Sequence, residues 1–196
     1  MTEKKLLRFI HVGKCGGSTI EKLLVDSTLV SQKYDSVVHD HVCGVSLDTN
    51  CDYLICLRNP IERAMSAYEW RMKLVVLDPP PNQANRFRGE RDVLKVYKSF
   101  SDLASKLYQN NGSLNELVAR DFQLVHHLRE SISFYLRPLM PVLTCTNVFG
   151  IICQENLSAD CEKLLGVYPN GICERKNYLR RESLSTLGEQ AVANLK

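Results

Sequence analysis

The chain has 196 residues, 44% of them hydrophobic, and its 25 Lys and Arg against 22 Asp and Glu give a formal net charge of +3. That length supports a core and reads as a single domain over 1–196, while a mild charge spread along the chain argues against a nucleic-acid-binding surface. No apolar run reaches the ~18 residues of a membrane span, and the polar start "MTEKK" lacks a signal-peptide core behind it, so no membrane partner and a cytoplasmic location are expected.

Eight cysteines, Cys15, Cys43, Cys51, Cys56, Cys145, Cys153, Cys161 and Cys173, fall singly with no C-x-x-C pair. This spacing speaks against zinc ligation or a redox motif, and it suits reduced thiols packed as small hydrophobes.

In chain order, "LLRFIHV" (6–12) predicts a buried strand ending at a glycine turn. "STIEKLLVDSTLV" predicts a helix, with Ser18 and Glu21 as a capping box and Ile20, Leu23 and Leu24 as its apolar stripe. "YDSVVHDHV" (34–42) and "CDYLICLR" (51–58) predict two more strands. Behind the latter, Asn59 suits a cap, Pro60 a first helical position, and Glu62 a second capping box; Ile61, Met65, Tyr68, Met72 and Val75 follow at helical spacing.

The three prolines and charged tail of "LDPPPNQANRFRGERD" (77–92) break this periodicity and predict an exposed insertion. Helices are expected around 93–109 and 114–136, a strand in "TNVFGIICQE" (146–155), a capped helix in "NLSADCEKLLG" stopped by Gly166, and a final helix over 183–195. Strands alternating with helices imply an α/β fold, a central, mostly parallel sheet flanked by helices in three layers. Ligands of such sheets bind beyond the carboxyl ends of the strands, where the turns after Val12 and Leu57 lie.

Both turns carry anion-binding chemistry. Backbone N–H groups of Gly16, Gly17 and Ser18 can converge on an anion at a helix start, helped by the helix dipole, with Lys14 adding a charge and Ser18 and Thr19 adding hydroxyls. The Walker pattern places its lysine after the last glycine, next to the hydroxyl that binds magnesium; here Lys14 precedes the glycines. The order predicts an anion cradle without metal. In "LRNPIERAMSAY", Arg58 at a strand end and Ser66 eight residues on can share one phosphate, whose oxygens match the planar guanidinium fork.

Together, "FIHVGKCGGSTI" and "YLICLRNPIERAMSAY" resemble the two nucleotide-binding motifs of the sulfotransferases that use 3'-phosphoadenosine 5'-phosphosulfate (PAPS). "FGIICQENLSADCEKLLG" is similar to the strand and E-x-L-x-x-D helix that close that family's P-loop-like sheet. The resemblance implies that Lys14, Cys15 (through its backbone), Gly16, Gly17, Ser18 and Thr19 line the phosphosulfate, and that Arg58 and Ser66 hold the 3'-phosphate. Lys176, in the basic stretch "ERKNYLRR", is implied near the same phosphate.

His39 and His41 in "VVHDHV" share a face of an extended strand. An imidazole suits the removal of an acceptor hydroxyl's proton, and the stretch resembles the H-x-H-V segment of uronosyl 2-O-sulfotransferases, where a histidine of the pair is the proposed base. His41 is assigned as base, with His39 as alternative or acceptor contact; His126 and His127 in "QLVHHLRES" are rivals.

The implied reaction is in-line transfer of a sulfuryl group to a hydroxyl, of a carbohydrate by the H-x-H-V resemblance, releasing adenosine 3',5'-bisphosphate, with Lys14 stabilising the leaving phosphate. Two other readings stand beside it. A P-loop-like kinase or nucleotide hydrolase would need an acid at a strand end for its metal, and only Asp40 is available. A non-catalytic nucleotide-binding protein of the same fold would need neither Lys14 nor a base.

Overall fold

The computed structural model describes residues 5–41, 50–169 and 184–195. Residues 1–59 with 132–176 form one compact unit, and residues 60–131 with 177–196 form another. Each has its own apolar core.

The first unit is built on four strands, β1 (Lys5–Ile10), β2 (Tyr34–Asp40), β3 (Cys51–Leu57) and β4 (Val148–Cys153), in the order β2-β1-β3-β4 with every neighbouring pair parallel. A parallel sheet flanked by helices is the expected three-layer α/β arrangement. Its central strands read as continuous apolar runs because both faces are covered: Leu7, Phe9 and Ile10 of β1 and Tyr53, Leu54, Ile55 and Cys56 of β3 are all buried. Ile10 pairs with Asp40 on one side and Ile55 on the other, and Ile55 pairs with Ile151. All four strands therefore deliver their following loops to one edge of the sheet.

The helix predicted after β1 is two. α1 (Gly17–Asp26) stops at Ser27, and α2 (Thr28–Lys33) restarts there. Ser27 is the cause: its buried hydroxyl accepts the Val30 N–H at 3.2 Å, capping α2, and donates to the Leu165 carbonyl at 2.6 Å. Leu165 ends α9 (Leu157–Leu165), which Gly166 terminates in a left-handed conformation, as its sequence predicts.

The Ser18–Glu21 capping box does not form. α1 begins two residues earlier than that box requires, at Gly17, with left-handed Gly16 in the cap position and no side chain bonded to the first turn. Glu21 is thereby released for another contact.

At the opposite edge of the sheet, the Tyr34 phenol donates to Asp52 at 2.7 Å. Burial and the neighbouring carboxylate push that phenol far above the usual tyrosine range, so it is a fixed donor.

The second unit is helical: α3 (Pro60–Met72) starts at the proline as expected, and α4 (Glu90–Val96), α5 (Phe100–Ser105), α6 (Glu116–Leu124), α7 (His126–Arg129) and α10 (Glu189–Asn194) follow, while α8 (Ile132–Leu136) belongs to the first unit. The two or three helices expected around 93–109 and 114–136 are present as a larger number of short ones, with Ser99 and Asn115 capping α5 and α6. The 77–92 stretch is exposed through its prolines but anchored at its end: Glu90 is buried, and the Phe87 ring stacks on His126 with centroids 4.1 Å apart. No helix among the described residues is long and apolar enough to cross a membrane.

Candidate active site at the carboxyl edge of the sheet

The loop between β1 and α1 carries the only described positive-φ lysine of the chain. Lys14 (φ 70°) and Gly16 (φ 83°) are left-handed on either side of Cys15, which is not. Such alternation is the backbone geometry of an anion-binding nest, and the N–H groups of the first helical turn, at Gly17 and Ser18, have no intrahelical acceptors. Holding a lysine in this region costs of order 1 kcal/mol, a local strain of the kind found at ligand clamps.

Cys15 has its side chain fully buried, and its N–H goes to the Val12 carbonyl at 3.3 Å. Thr19 is buried as well, whereas Lys14, Gly16 and Ser18 are half-buried. The loop thus faces its surroundings with Lys14, Gly16 and Ser18, while Cys15 fastens it to the core.

Arg58, the residue after β3, reaches this loop. Its Nη1 lies 3.5 Å from the Lys14 carbonyl, which brings the guanidinium to the backbone of the loop. Ser66 lies half-buried on α3 of the second unit. Lys176, like Cys43 and Cys173, lies outside the described residues.

At the end of β2, His39 and His41 have different surroundings. His39 Nδ1 lies 2.9 Å from Glu21 Oε1, the carboxylate left over by the missing capping box, and its ring meets the edge of Phe9. A carboxylate on Nδ1 fixes the ring and its tautomer. His41 is exposed, and its ring packs edge-on to His11 at 4.4 Å between centroids. Asp40, between them, is buried and bound to Arg8 Nη1 at 3.0 and 3.3 Å. Among the described residues, the acid at this strand end is bound by an arginine.

Two residues that sequence reasoning did not single out, His11 and Gln154, complete the edge. His11 is buried, and its ring lies against the α-carbon of Gly17: a Cβ there would stand 2.0 Å from the imidazole. Gln154, after β4, lies over Gly16, where a Cβ would stand 1.9 Å from its Oε1. Glu155 accepts the Asn59 N–H at 2.7 Å and ties the exit of β3 to that of β4, while Asp160 accepts the Cys153 N–H at 2.8 Å. These last two are the acids of the E-x-L-x-x-D segment. The position of His11 beside "VGKCGG" was a signal that strand assignment absorbed; Gln154 carried none.

The glycines are required by these approaches. Gly17→Ala is expected to destabilise the chain by about 1–3 kcal/mol, because the confined His11 ring must move for the new methyl. Chemical denaturation checks this, and an unchanged midpoint would contradict the packing of His11 against the helix start.

Of the six described cysteines, Cys15, Cys51, Cys56 and Cys161 are buried. Burial, with Asp160 adjacent, pushes the Cys161 thiol up to about 11, and burial raises Cys153 in the same way. Neither is poised as a nucleophile.

The rival histidines stand in the second unit, both turned to Glu130. His126 Nε2 is 3.0 Å and His127 Nδ1 3.1 Å from its carboxylate oxygens. Burial opposes the charge on Glu130, but the two imidazoles hold its carboxyl well below the usual range. No family model, curated protein or solved structure matches the chain.

Proposed function

We propose that the chain is a PAPS-dependent sulfotransferase with a P-loop-like core, transferring a sulfuryl group to a hydroxyl, of a carbohydrate by the resemblance of its H-x-H-V segment. The observation that carries this reading is the meeting, at one sheet edge, of an uncapped helix start, a left-handed Lys14 and Arg58. Such a set of donors and cations fits the two anionic ends of the nucleotide, and the glycines at 16 and 17 let the backbone come close. PAPS supplies the activated sulfuryl group.

In this reading, Lys14 and the N–H groups of Gly16, Gly17 and Ser18, with the Ser18 and Thr19 hydroxyls, hold the phosphosulfate end, and Arg58 and Ser66 are assigned to the 3'-phosphate. Lys14 meets the charge that grows on the leaving phosphate oxygen. His41 accepts the proton of the attacking hydroxyl, steadied by its ring contact with His11; His39, held by Glu21, is the alternative base. Little covalent participation is asked of the protein, so rate comes from position and electrostatics.

Ligand-induced thermal stabilisation tests the reading, since a bound ligand raises apparent stability by mass action. Adenosine 3',5'-bisphosphate without metal is expected to raise the melting temperature, and Arg58→Ala to weaken that response. A response to ATP with magnesium and none to the bisphosphate would favour the kinase or hydrolase reading instead.

A further inference from the structure

The second unit holds a cluster of ligand-type side chains that the proposed reaction does not use. His126 and His127 open α7 and Glu130 follows it directly, so all three lie within little more than one helical turn. Each oxygen of the buried Glu130 carboxylate meets a different imidazole, at 3.0 Å for His126 Nε2 and 3.1 Å for His127 Nδ1. One donor atom from each residue can be chosen so that all three lie within 4.8 Å of one another. Donors about 2.0–2.2 Å from a shared zinc ion stand roughly 3.3 Å apart in tetrahedral geometry, so small ring movements bring these three onto one ion.

The turn is held from outside. Arg63, itself buried, donates to the carbonyls of His127 and Glu130. Glu90 accepts the His126 N–H at 2.9 Å and is fixed in turn by a two-pronged bond from Arg71. Phe87 stacks on the His126 ring. Ligands supported in this way keep their geometry before an ion arrives.

A divalent cation takes both imidazoles in their neutral form together with the carboxylate, a set of two nitrogens and one oxygen that suits zinc. His126 and His127 retain 17% and 13% side-chain exposure, enough for water to reach the ion.

We propose that His126, His127 and Glu130 form a zinc site in the second unit, with water completing the coordination. This inference stands apart from the sulfotransferase reading, which it neither needs nor supports. The test is titration of the full chain, stripped with a chelator, with Co²⁺ as a spectroscopic stand-in, followed by displacement with Zn²⁺. The expected result is one equivalent with visible d–d absorption and no near-ultraviolet thiolate band. His126→Gln and His127→Gln, each confirmed folded by circular dichroism, are expected to weaken binding by tenfold or more. The site is overturned by an absence of stoichiometric binding, by thiolate bands that assign the ion to cysteines, or by unchanged affinity in both variants.

Discussion

On the proposed sulfotransferase reading, Lys14→Ala is expected to slow sulfuryl transfer by about 10²–10³-fold while the chain still binds adenosine 3',5'-bisphosphate. The separation follows from where the binding groups come from. The N–H groups of Gly16, Gly17 and Ser18 belong to the backbone, and Arg58 enters from β3, so a Lys14 side-chain deletion leaves both in place. What it removes, on that reading, is the charge assigned to the phosphate oxygen that becomes anionic only as the sulfuryl group departs, a contribution realised in the transition state. Single-turnover transfer measured beside bisphosphate binding distinguishes the two.

The left-handed backbone at residue 14 supplies a control. Lys14→Gly removes the same charge but places there the residue that adopts positive φ without strain. Both variants are therefore expected to lose the same rate, with the glycine variant the more stable wherever backbone strain dominates the difference. Transfer that survives in Lys14→Ala would remove the lysine from the chemistry.

The second large effect is structural. Glu90→Gln is expected to destabilise the chain by about 3–5 kcal/mol, read from denaturant unfolding. Arg71 and Glu90 are 3% and 1% exposed and joined by two bonds, Nε to Oε1 at 2.8 Å and Nη2 to Oε2 at 2.7 Å. Removing the carboxylate charge strands the guanidinium away from water and weakens the acceptor of the His126 N–H. Replacing both partners with apolar residues, as in Arg71→Met with Glu90→Leu, is expected to recover much of the loss, because the penalty lies in one unpaired charge. A cost below about 1 kcal/mol for Glu90→Gln would mean that water reaches the pair.

How well the sequence foretold the structure depended on how local the cause was. The strands of the sheet were legible as short apolar runs ending at turn signals, and the starts of α3 and the end of α9 were written in Pro60 and Gly166. Ser27 was not, since it reads as one polar residue in a helical pattern until Leu165, far away in sequence, supplies an acceptor. The same holds for Glu21, which matched a capping box on spacing alone; the left-handed Gly16 moved the helix start, and the carboxylate serves His39. In the candidate site, the lysine, glycines and arginine announced themselves by residue type and position. His11 and Gln154 did not, because their roles come from how closely they approach the α-carbons of Gly17 and Gly16.

The order β2-β1-β3-β4 has a consequence for biosynthesis. Residues 5–57 can pair three strands as they emerge, but β3 has no partner on its far side until 148–153 are made, after the whole of 60–131. During that interval the most deeply buried strand of the sheet, with Cys51 through Cys56 covered in the finished fold, is an unguarded edge. Closing it requires a contact of long sequence separation, the slowest kind to form, so a nascent or truncated chain presents its stickiest strand to any neighbour.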